Sequence, residues 1–332
     1  MANFQNVGTT NAGTFTVNNA GAALPGGTPT MDAAAIQSGN AFLTSVTYPR
    51  DIPIEVGGGW VDYVSAMSVA YGMAGGSGAS AVNGGGSNGI PVVQASVSKG
   101  AFKAHVFAAA LRVMFVDMQR ANFIGRSLDQ MLQDGIRLAY DKHMDQNTYI
   151  GFDEYATTGL VNNPDVTKTT AATSGTGSSS KFADKTPKQI LADINSAITA
   201  VWAANEYDEA GIPNHILIPY EQYSYITTTM VSDLGTETIY DFLKKHNVAA
   251  NHGVDLEIVP TRWVKGAGAS NGDRMVVYVN NRRFVKADEL VPLSRVMSAP
   301  NVTSVCYDTA YMANASEVQL MYQTSMLYVD GI

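Results

Sequence analysis

The sequence predicts an α+β fold on three observations. Two stretches of β-branched and aromatic residues lie between residues 60 and 98, one long helical periodicity occupies the middle, and short strands and helices follow without regular alternation. At 332 residues, two domains are the prior expectation. Charged residues make up 15% and hydrophobic ones 45%; ordinary soluble domains carry roughly 25% charge. Disorder needs high net charge with little apolar content, so composition excludes it for the chain as a whole. The apolar run around Ala108 covers only residues 106–111, far short of the ~20 residues of a spanning helix, and no membrane association is expected. Met1-Ala2-Asn3-Phe4-Gln5-Asn6 lacks the basic and apolar regions of a secretory signal. Cys306 is the only cysteine, so no intrachain disulfide forms, which fits a reducing compartment or a protein made in one. The triplets at Asn301 and Asn314 that look like glycosylation sites then read as chance.

The charge deficit lies at the front of the chain. Residues 1–98 hold one basic residue, Arg50, and four acids, Asp32, Asp51, Glu55 and Asp62, while the first hundred hold 18 of the 31 glycines. Residues 1–30, with isolated Phe4, Phe15 and Leu24, read as an arm or tail, either ordered by a neighbouring subunit or left free. Residues 60–71 and 91–98 read as two strands joined by a glycine-rich tip, a β-ribbon that projects from the body. From about Ala121 to Tyr149, apolar Ile124, Leu128, Met131, Leu132, Ile136, Ala139, Tyr140 and Met144 recur at helical spacing. Such a helix of about 28 residues would extend ~42 Å.

Residues 151–164 form a turn-rich connector and 167–180 a low-complexity exposed loop. Thr186-Pro187-Lys188-Gln189 opens a helix, with Thr186 as N-cap, Pro187 at its first position and Gln189 completing a capping box. Ile190, Leu191, Ile194, Ile198, Val201 and Trp202 give that helix one apolar face. His215 to Pro219 predicts a buried strand, Thr238 to His246 a helix, and Val254 to Pro260 a strand. Arg274 to Val279 is expected to pair with Phe284 to Lys286 across Asn280-Asn281, and Val318 to Val329 to close the chain as strand. No internal repeat is visible.

No enzyme constellation emerges, and no catalytic, cofactor-binding or metal-binding residue is predicted. Two G-x-S-x-G matches, around Ser87 and Ser270, are each followed by a strand, whereas a nucleophile elbow needs a helix there. Gly76-Ser77-Gly78-Ala79-Ser80-Ala81 imitates a dinucleotide fingerprint but runs into Asn83-Gly84-Gly85-Gly86 where a helix must start. His246 and His252 lack the company of a zinc site. Asp141 and Asp145 share a helix face with His143 turned away, which reads as a solvated or interface face. The adjacent acid pairs Asp153-Glu154 and Asp288-Glu289 face apart and give general acid/base chemistry no support. A net charge of −8 and a pI near 5.1 argue against coating nucleic acid. The late basic residues Arg262, Lys265, Arg274, Arg282, Arg283, Lys286 and Arg295 are interleaved with acids and read as ion-pair partners on the surface or between subunits.

The order of parts carries more than any motif. A low-charge arm, a glycine-tipped ribbon, one long helix, a turn, an α+β region and closing strands resemble the HK97-fold major capsid protein of tailed double-stranded DNA phages, a family related to encapsulin shells. Gly159-Leu160-Val161-Asn162-Asn163-Pro164 is similar to the glycine-leucine-x-asparagine-x-proline connector after the long helix of one such capsid family. Tyr149-Ile150-Gly151 at the helix end and Asn88-Gly89-Ile90-Pro91-Val92 before the returning strand also fit it. The resemblance implies an N-terminal arm and lead-in (1–50), an extended β-ribbon loop (51–104), a peripheral domain with the spine helix (105–185), an axial domain (186–290), and C-terminal strands returning to the peripheral domain (291–332). It implies no cofactor and a homo-oligomer of pentamers and hexamers in an icosahedral virion shell, assembled in the host cytoplasm. The shell would enclose double-stranded DNA without sequence-specific binding. Scaffold, portal, protease and decoration proteins are further candidate partners. Some such shells are crosslinked through a ribbon lysine; Lys99 is the lysine on the distal ribbon, and a non-covalent contact is expected. The rival readings are an encapsulin-type compartment and, from another class, a soluble enzyme using the His246/His252 region.

Overall fold

β-branched and aromatic residues at alternating positions form long strands here, and helical periodicities form the helices between them. The computed structural model describes residues 17–18, 30–31, 47–74, 92–124, 128–232 and 237–332. In chain order, β1 (Val17–Asn18) pairs antiparallel with β2 (Thr30–Met31). α1 (Tyr48–Asp51) leads to β3 (Ile54–Val56), and β4 (Tyr63–Ala74) and β5 (Val92–Met114) form the ribbon. α2 (Phe115–Ile124) and α3 (Leu128–Tyr149) follow, then β6 (Thr167–Thr170), α4 (Pro187–Ala204) and β7 (His215–Ile218). α5 (Tyr220–Thr228), α6 (Ile239–His246), α7 (Val248–Asn251), β8 (Glu257–Pro260) and β9 (Arg274–Tyr278) come next. The chain closes with β10 (Val285–Asn301), β11 (Cys306–Ser316), β12 (Gln319–Leu320) and β13 (Met326–Asp330). The first large sheet runs β12-β10-β11-β5-β4 with β3 beside β10, and the second runs β6-β13-β9-β7-β8.

The chain divides into two units. One takes in residues 106–146 and 291–315, hence the far parts of β5 and β10, most of β11, and the helical residues up to Gln146. Within it Phe107 packs on Tyr140 and His143. The other takes in residues 48–105, 147–290 and 316–332, including the second sheet. Its core follows a period of two. Ile216 and Ile218, Met275 and Val277, and Leu327 and Val329 turn to the cluster in which Ile190, Ile194, Ile198 and Val201 of α4 pack. The residues between them, His215, Leu217, Arg274, Val276, Tyr278, Tyr328 and Asp330, occupy the opposite face and are buried as well. A sheet covered on both faces is a buried sheet, yet here one face carries polar groups that must find partners. α4 starts as expected: Pro187 is its first residue, and Gln189 Oε1 accepts from the Thr186 amide N–H (2.8 Å) and hydroxyl (3.0 Å).

Five expectations need correction. The helix expected over 121–149 is already helical from Phe115, as α2 and then α3, and residues 125–127 lie outside the described residues. The returning ribbon strand, expected over 91–98, extends to Met114, and the apolar run at 106–111 is part of it. Thr167–Thr170 is an edge strand parallel to β13 rather than loop, because its backbone completes the sheet while its side chains stay exposed. Arg274–Tyr278 does not pair with 284–286. The Asn281 carbonyl accepts from the Phe284 and Val285 N–H groups (2.8 and 2.9 Å), and the Asn280 N–H is held by Asn214 Oδ1 (2.7 Å). That turn redirects the chain, so β9 pairs with β7 and β13, and Val285 and Lys286 pair with β12. The closing strand is interrupted at Gln323–Ser325, which leaves β12 in the first sheet and β13 in the second.

Candidate functional site

The ribbon is the first element of the candidate assembly site. β4 and β5 pair antiparallel from Tyr63↔Lys103 to Ala74↔Val92, and β4 is the outer strand of its sheet. Long outer strands offer unpaired N–H and C=O groups to another chain. Tyr63 and Met67 are exposed on β4, and Val97 on β5. The root is clamped. The Lys103 N–H donates to Glu317 Oε1 (2.8 Å), the Glu317 N–H returns a bond to the Lys103 carbonyl (2.9 Å), and Lys103 Nζ donates to the carbonyls of Tyr155 (3.0 Å) and Ala156 (3.1 Å). His105 stacks on Tyr155 and meets Phe152 edge-on; burial pushes its imidazole down in pKa. Before β4, Gly57, Gly58 and Gly59 all take positive φ (122°, 132° and 79°), which favours glycine, and Gly58 lies so close to Leu290 that an added Cβ would stand 2.5 Å from its side chain.

The connector after α3 is the second element. Gly159 passes so close to the end of the helix that a Cβ there would lie 2.3 Å from the Tyr149 carbonyl carbon. The approach lets the Leu160 and Val161 N–H groups donate to the carbonyls of Thr148 (2.9 Å) and Tyr149 (3.0 Å), two acceptors a helix end leaves open. Asn162 fastens the turn: its Oδ1 accepts from the Gly159 N–H (2.8 Å) and its Nδ2 donates to the Ile150 carbonyl (2.7 Å). The sheet then holds the connector. The Tyr328 hydroxyl donates to the Leu160 carbonyl (2.8 Å) and accepts from the Asn163 N–H (3.1 Å), and Arg274 Nη1 donates to the Val161 carbonyl (2.7 Å). Three motif positions thus have a stereochemical reason: glycine for close approach, leucine for burial, asparagine for two hydrogen bonds across the turn.

The third element ties α1 to the same sheet through Asp51. Asp51 is fully buried and accepts from Tyr149 and from Arg50 Nε (2.8 Å), with His215 Nε2 at 3.2 Å; the Tyr278 hydroxyl donates to its backbone carbonyl (2.5 Å). Burial pushes the Asp51 carboxyl up, and the bonds from His215, Arg50 and Tyr149 outweigh it, so its pKa lies below the ordinary value. Asp330 is shifted the same way, burial being outweighed by Arg274 and the Ala269 N–H. A carboxyl with a depressed native pKa stabilises the fold above its unfolded value, near 4, and loses that contribution as pH falls through the native value. The urea midpoint of the unassembled subunit is therefore expected to be level down to about pH 5 and to fall steeply below about pH 4, with a shallower acid limb in Asp51→Asn. An acid limb unchanged in that variant removes Asp51 from the account.

The residues singled out for chemistry do not converge. His246 packs on Phe242 and His252 on Trp202. His143 is against Phe107, and Asp145 is buried, so the face it shares with Asp141 is not simply solvated. The Ser270 match is a short turn leading into β9, and the Ser87 match and the dinucleotide-like run lie outside the described residues. Cys306 is buried, and burial raises its thiol pKa. Much of the late basic cluster is paired within the chain: Lys265 with Glu221, Arg274 with Asp330, Arg282 and Lys286 with Glu55. Among the described residues, no group of three or more His, Cys, Asp or Glu side chains is placed to hold a metal, and no helix is long and apolar enough to cross a membrane. The polar back face of the second sheet was missed in the sequence, where polar His215, Arg274 and Asp330 at the ends of apolar strands were its signal.

A clamped ribbon, a connector latched to the end of a long helix and a second sheet packed with helices define an α+β HK97-like capsid fold. The chain matches "The capsid of Myoviridae Phage XM1" with a TM-score of 0.69 at 14% identity, covering 87% of this chain and 92% of that one. The structure of Mycobacterium phage Ogopogo matches at 0.54 and 12% identity, over 86% and 91%. The virus-like particle from Pyrococcus furiosus matches at 0.52 and 10%, over 85% and 91%. No curated protein sequence matches the chain. The family model described as "Major capsid protein" matches residues 78–332, and the chain belongs to the major capsid protein family. Its place is the virion shell, and its work is structural rather than enzymatic.

Proposed function

We propose that copies of this chain form pentamers and hexamers and that its parts divide the labour of closing an icosahedral shell. Residues 1–50 serve as an arm and lead-in, and residues 51–104 as a ribbon laid non-covalently over a neighbour. Residues 105–185 form the peripheral domain along the spine helix, residues 186–290 the axial domain whose loops ring the five- and six-fold positions, and residues 291–332 the returning strands. The observation that carries this reading is the ribbon: a long outer strand with Tyr63 and Met67 exposed, and Val97 exposed on the strand beside it, suits a second chain better than water. The net charge of −8 suits a shell that encloses double-stranded DNA without binding it tightly. Scaffold, portal, protease and decoration proteins complete the set of proposed partners.

Electron microscopy of the purified full chain is expected to show closed shells containing both five- and six-fold clusters. Small oligomers under all assembly conditions would sink the reading. A compartment that encloses a cargo protein is the second reading, favoured by the fold shared with the Pyrococcus virus-like particle. The contents of particles from the native source separate the two: packaged double-stranded DNA supports the capsid, and a single co-purifying protein supports the compartment.

A further inference from the structure

An asparagine followed by glycine sets its side-chain amide beside a backbone nitrogen that no Cβ shields, and the chain has three such pairs. Asn83-Gly84 and Asn88-Gly89 lie outside the described residues, whereas Asn271-Gly272 ends the turn that leads into β9. Asn271 is exposed there. Ser270 and Asn271 both take left-handed backbone (φ 56° and 58°), and the Gly272 N–H closes the turn by donating to the Ala269 carbonyl at 3.0 Å. Asparagine tolerates that region, whereas serine is disfavoured in it. The cost at Ser270 is of the size that one hydrogen bond contributes net, so the bond that closes the turn is near balance and opens. The same turn also holds a distant group. The Ala269 N–H donates to Asp330 Oδ2 (3.0 Å), the carboxylate that pairs with Arg274 behind the connector.

We propose that Asn271 is a site of spontaneous deamidation, reached when this turn opens. The Gly272 nitrogen gives up its proton to solvent base and attacks Asn271 Cγ. The new N–Cγ bond closes a succinimide ring, and the side-chain nitrogen takes up a proton and leaves as ammonia. Water then adds to either ring carbonyl and opens the ring, which leaves aspartate or isoaspartate at position 271. One water is consumed and one ammonia released, with no oxidation or reduction. Either product adds a negative charge to a cavity that Glu221, Asp273 and Lys181 also line. Isoaspartate in addition lengthens the backbone of the turn through which Ala269 holds Asp330. The chemistry belongs to the chain itself and does not depend on the shell reading.

The test incubates the full chain, folded and unfolded in urea, in mildly alkaline buffer and maps the peptide holding residue 271 for asparagine, aspartate and isoaspartate over time. Folded wild type is expected to accumulate both products at 271, more slowly than the unfolded chain does. Ser270→Gly accepts the left-handed backbone without cost and keeps the turn closed. It is expected to slow conversion in the folded chain about fivefold and to leave the unfolded rate nearly unchanged. Gly272→Ala is compatible with the local backbone (φ −71°), and its Cβ, 3.1 Å from the Ala269 carbonyl oxygen, shields the attacking nitrogen. It is expected to slow conversion at least about tenfold in both states. Folded wild type that forms no product at 271 while the unfolded chain converts overturns the proposal. Equal rates in folded wild type and folded Ser270→Gly overturn it too, because opening of the turn is then not the controlling step.

Discussion

Gly159→Ala is expected to destabilise the unassembled subunit by more than about 3 kcal/mol, or to prevent its folding. The added Cβ would sit 2.3 Å from the Tyr149 carbonyl carbon and 2.4 Å from both the Tyr149 oxygen and the Ile150 nitrogen. These are backbone atoms at the end of a helix, so no rotamer change relieves the clash. The connector would have to move away, giving up the bonds from Leu160 and Val161 to the helix end and those through Asn162. Gly135→Ala is the matched control. It lies within α3, nothing stands within 4 Å of its added Cβ, and alanine there is expected to stabilise by about 0.5–1 kcal/mol. Urea denaturation of both variants, with soluble yield recorded, checks the pair. A Gly159→Ala subunit as stable as wild type would mean that the connector does not need its close approach.

Arg274→Met is the second large effect, expected at about 3–5 kcal/mol. Arg274 donates to Asp330 through Nε (2.6 Å) and Nη2 (3.0 Å), to the Val161 carbonyl through Nη1 (2.7 Å), and lies 4.5 Å over the Tyr328 ring. Both members of the pair are buried. Removing the guanidinium leaves a buried carboxylate without its counter-ion and a connector carbonyl without its donor, whereas removing both charges costs less. Arg274→Met combined with Asp330→Asn is therefore expected to be more stable than Arg274→Met alone, since asparagine keeps an acceptor for the Ala269 N–H. A double variant no better than the single one would assign the cost to the lost Val161 bond. The connector that Gly159 makes possible is thus held from the sheet side by Arg274, and the two substitutions probe one structure from opposite ends.

Much of the architecture was legible in the chain because local chemistry decides it. The capping residues around Thr186, the apolar stripe from Ile190 to Val201, the strand at His215 and the helix after Thr238 each follow from neighbours within a few positions. The connector could be recognised as a motif. Its reason could not, since the atoms crowding Gly159 belong to Tyr149 and Ile150, and Tyr328 and Arg274 arrive from more than a hundred residues away.

Strand partnership was the least legible feature. The stretch Arg274 to Lys286 reads as a hairpin because proximity in sequence favours local pairing. Its two halves nevertheless join different partners, β9 between β7 and β13 and β10 beside β3 and β12. Side-chain alternation records how many faces of a strand are buried but carries no label for its neighbour. The glycines at 57–59 show the same division. Their number was plain, whereas their positive φ and the contact with Leu290 depend on how the chain passes the start of β10.

Sequence by itself determined the α+β class, the paired ribbon strands and the helical middle, because propensity, periodicity and composition are properties of short windows. Only the tertiary structure decided which polar groups share the buried face of the second sheet, what holds the connector, and where apolar surface is left uncovered at Val302 and Val305. Burial and hydrogen-bond satisfaction belong to segments brought together from far apart, and no local pattern contains them.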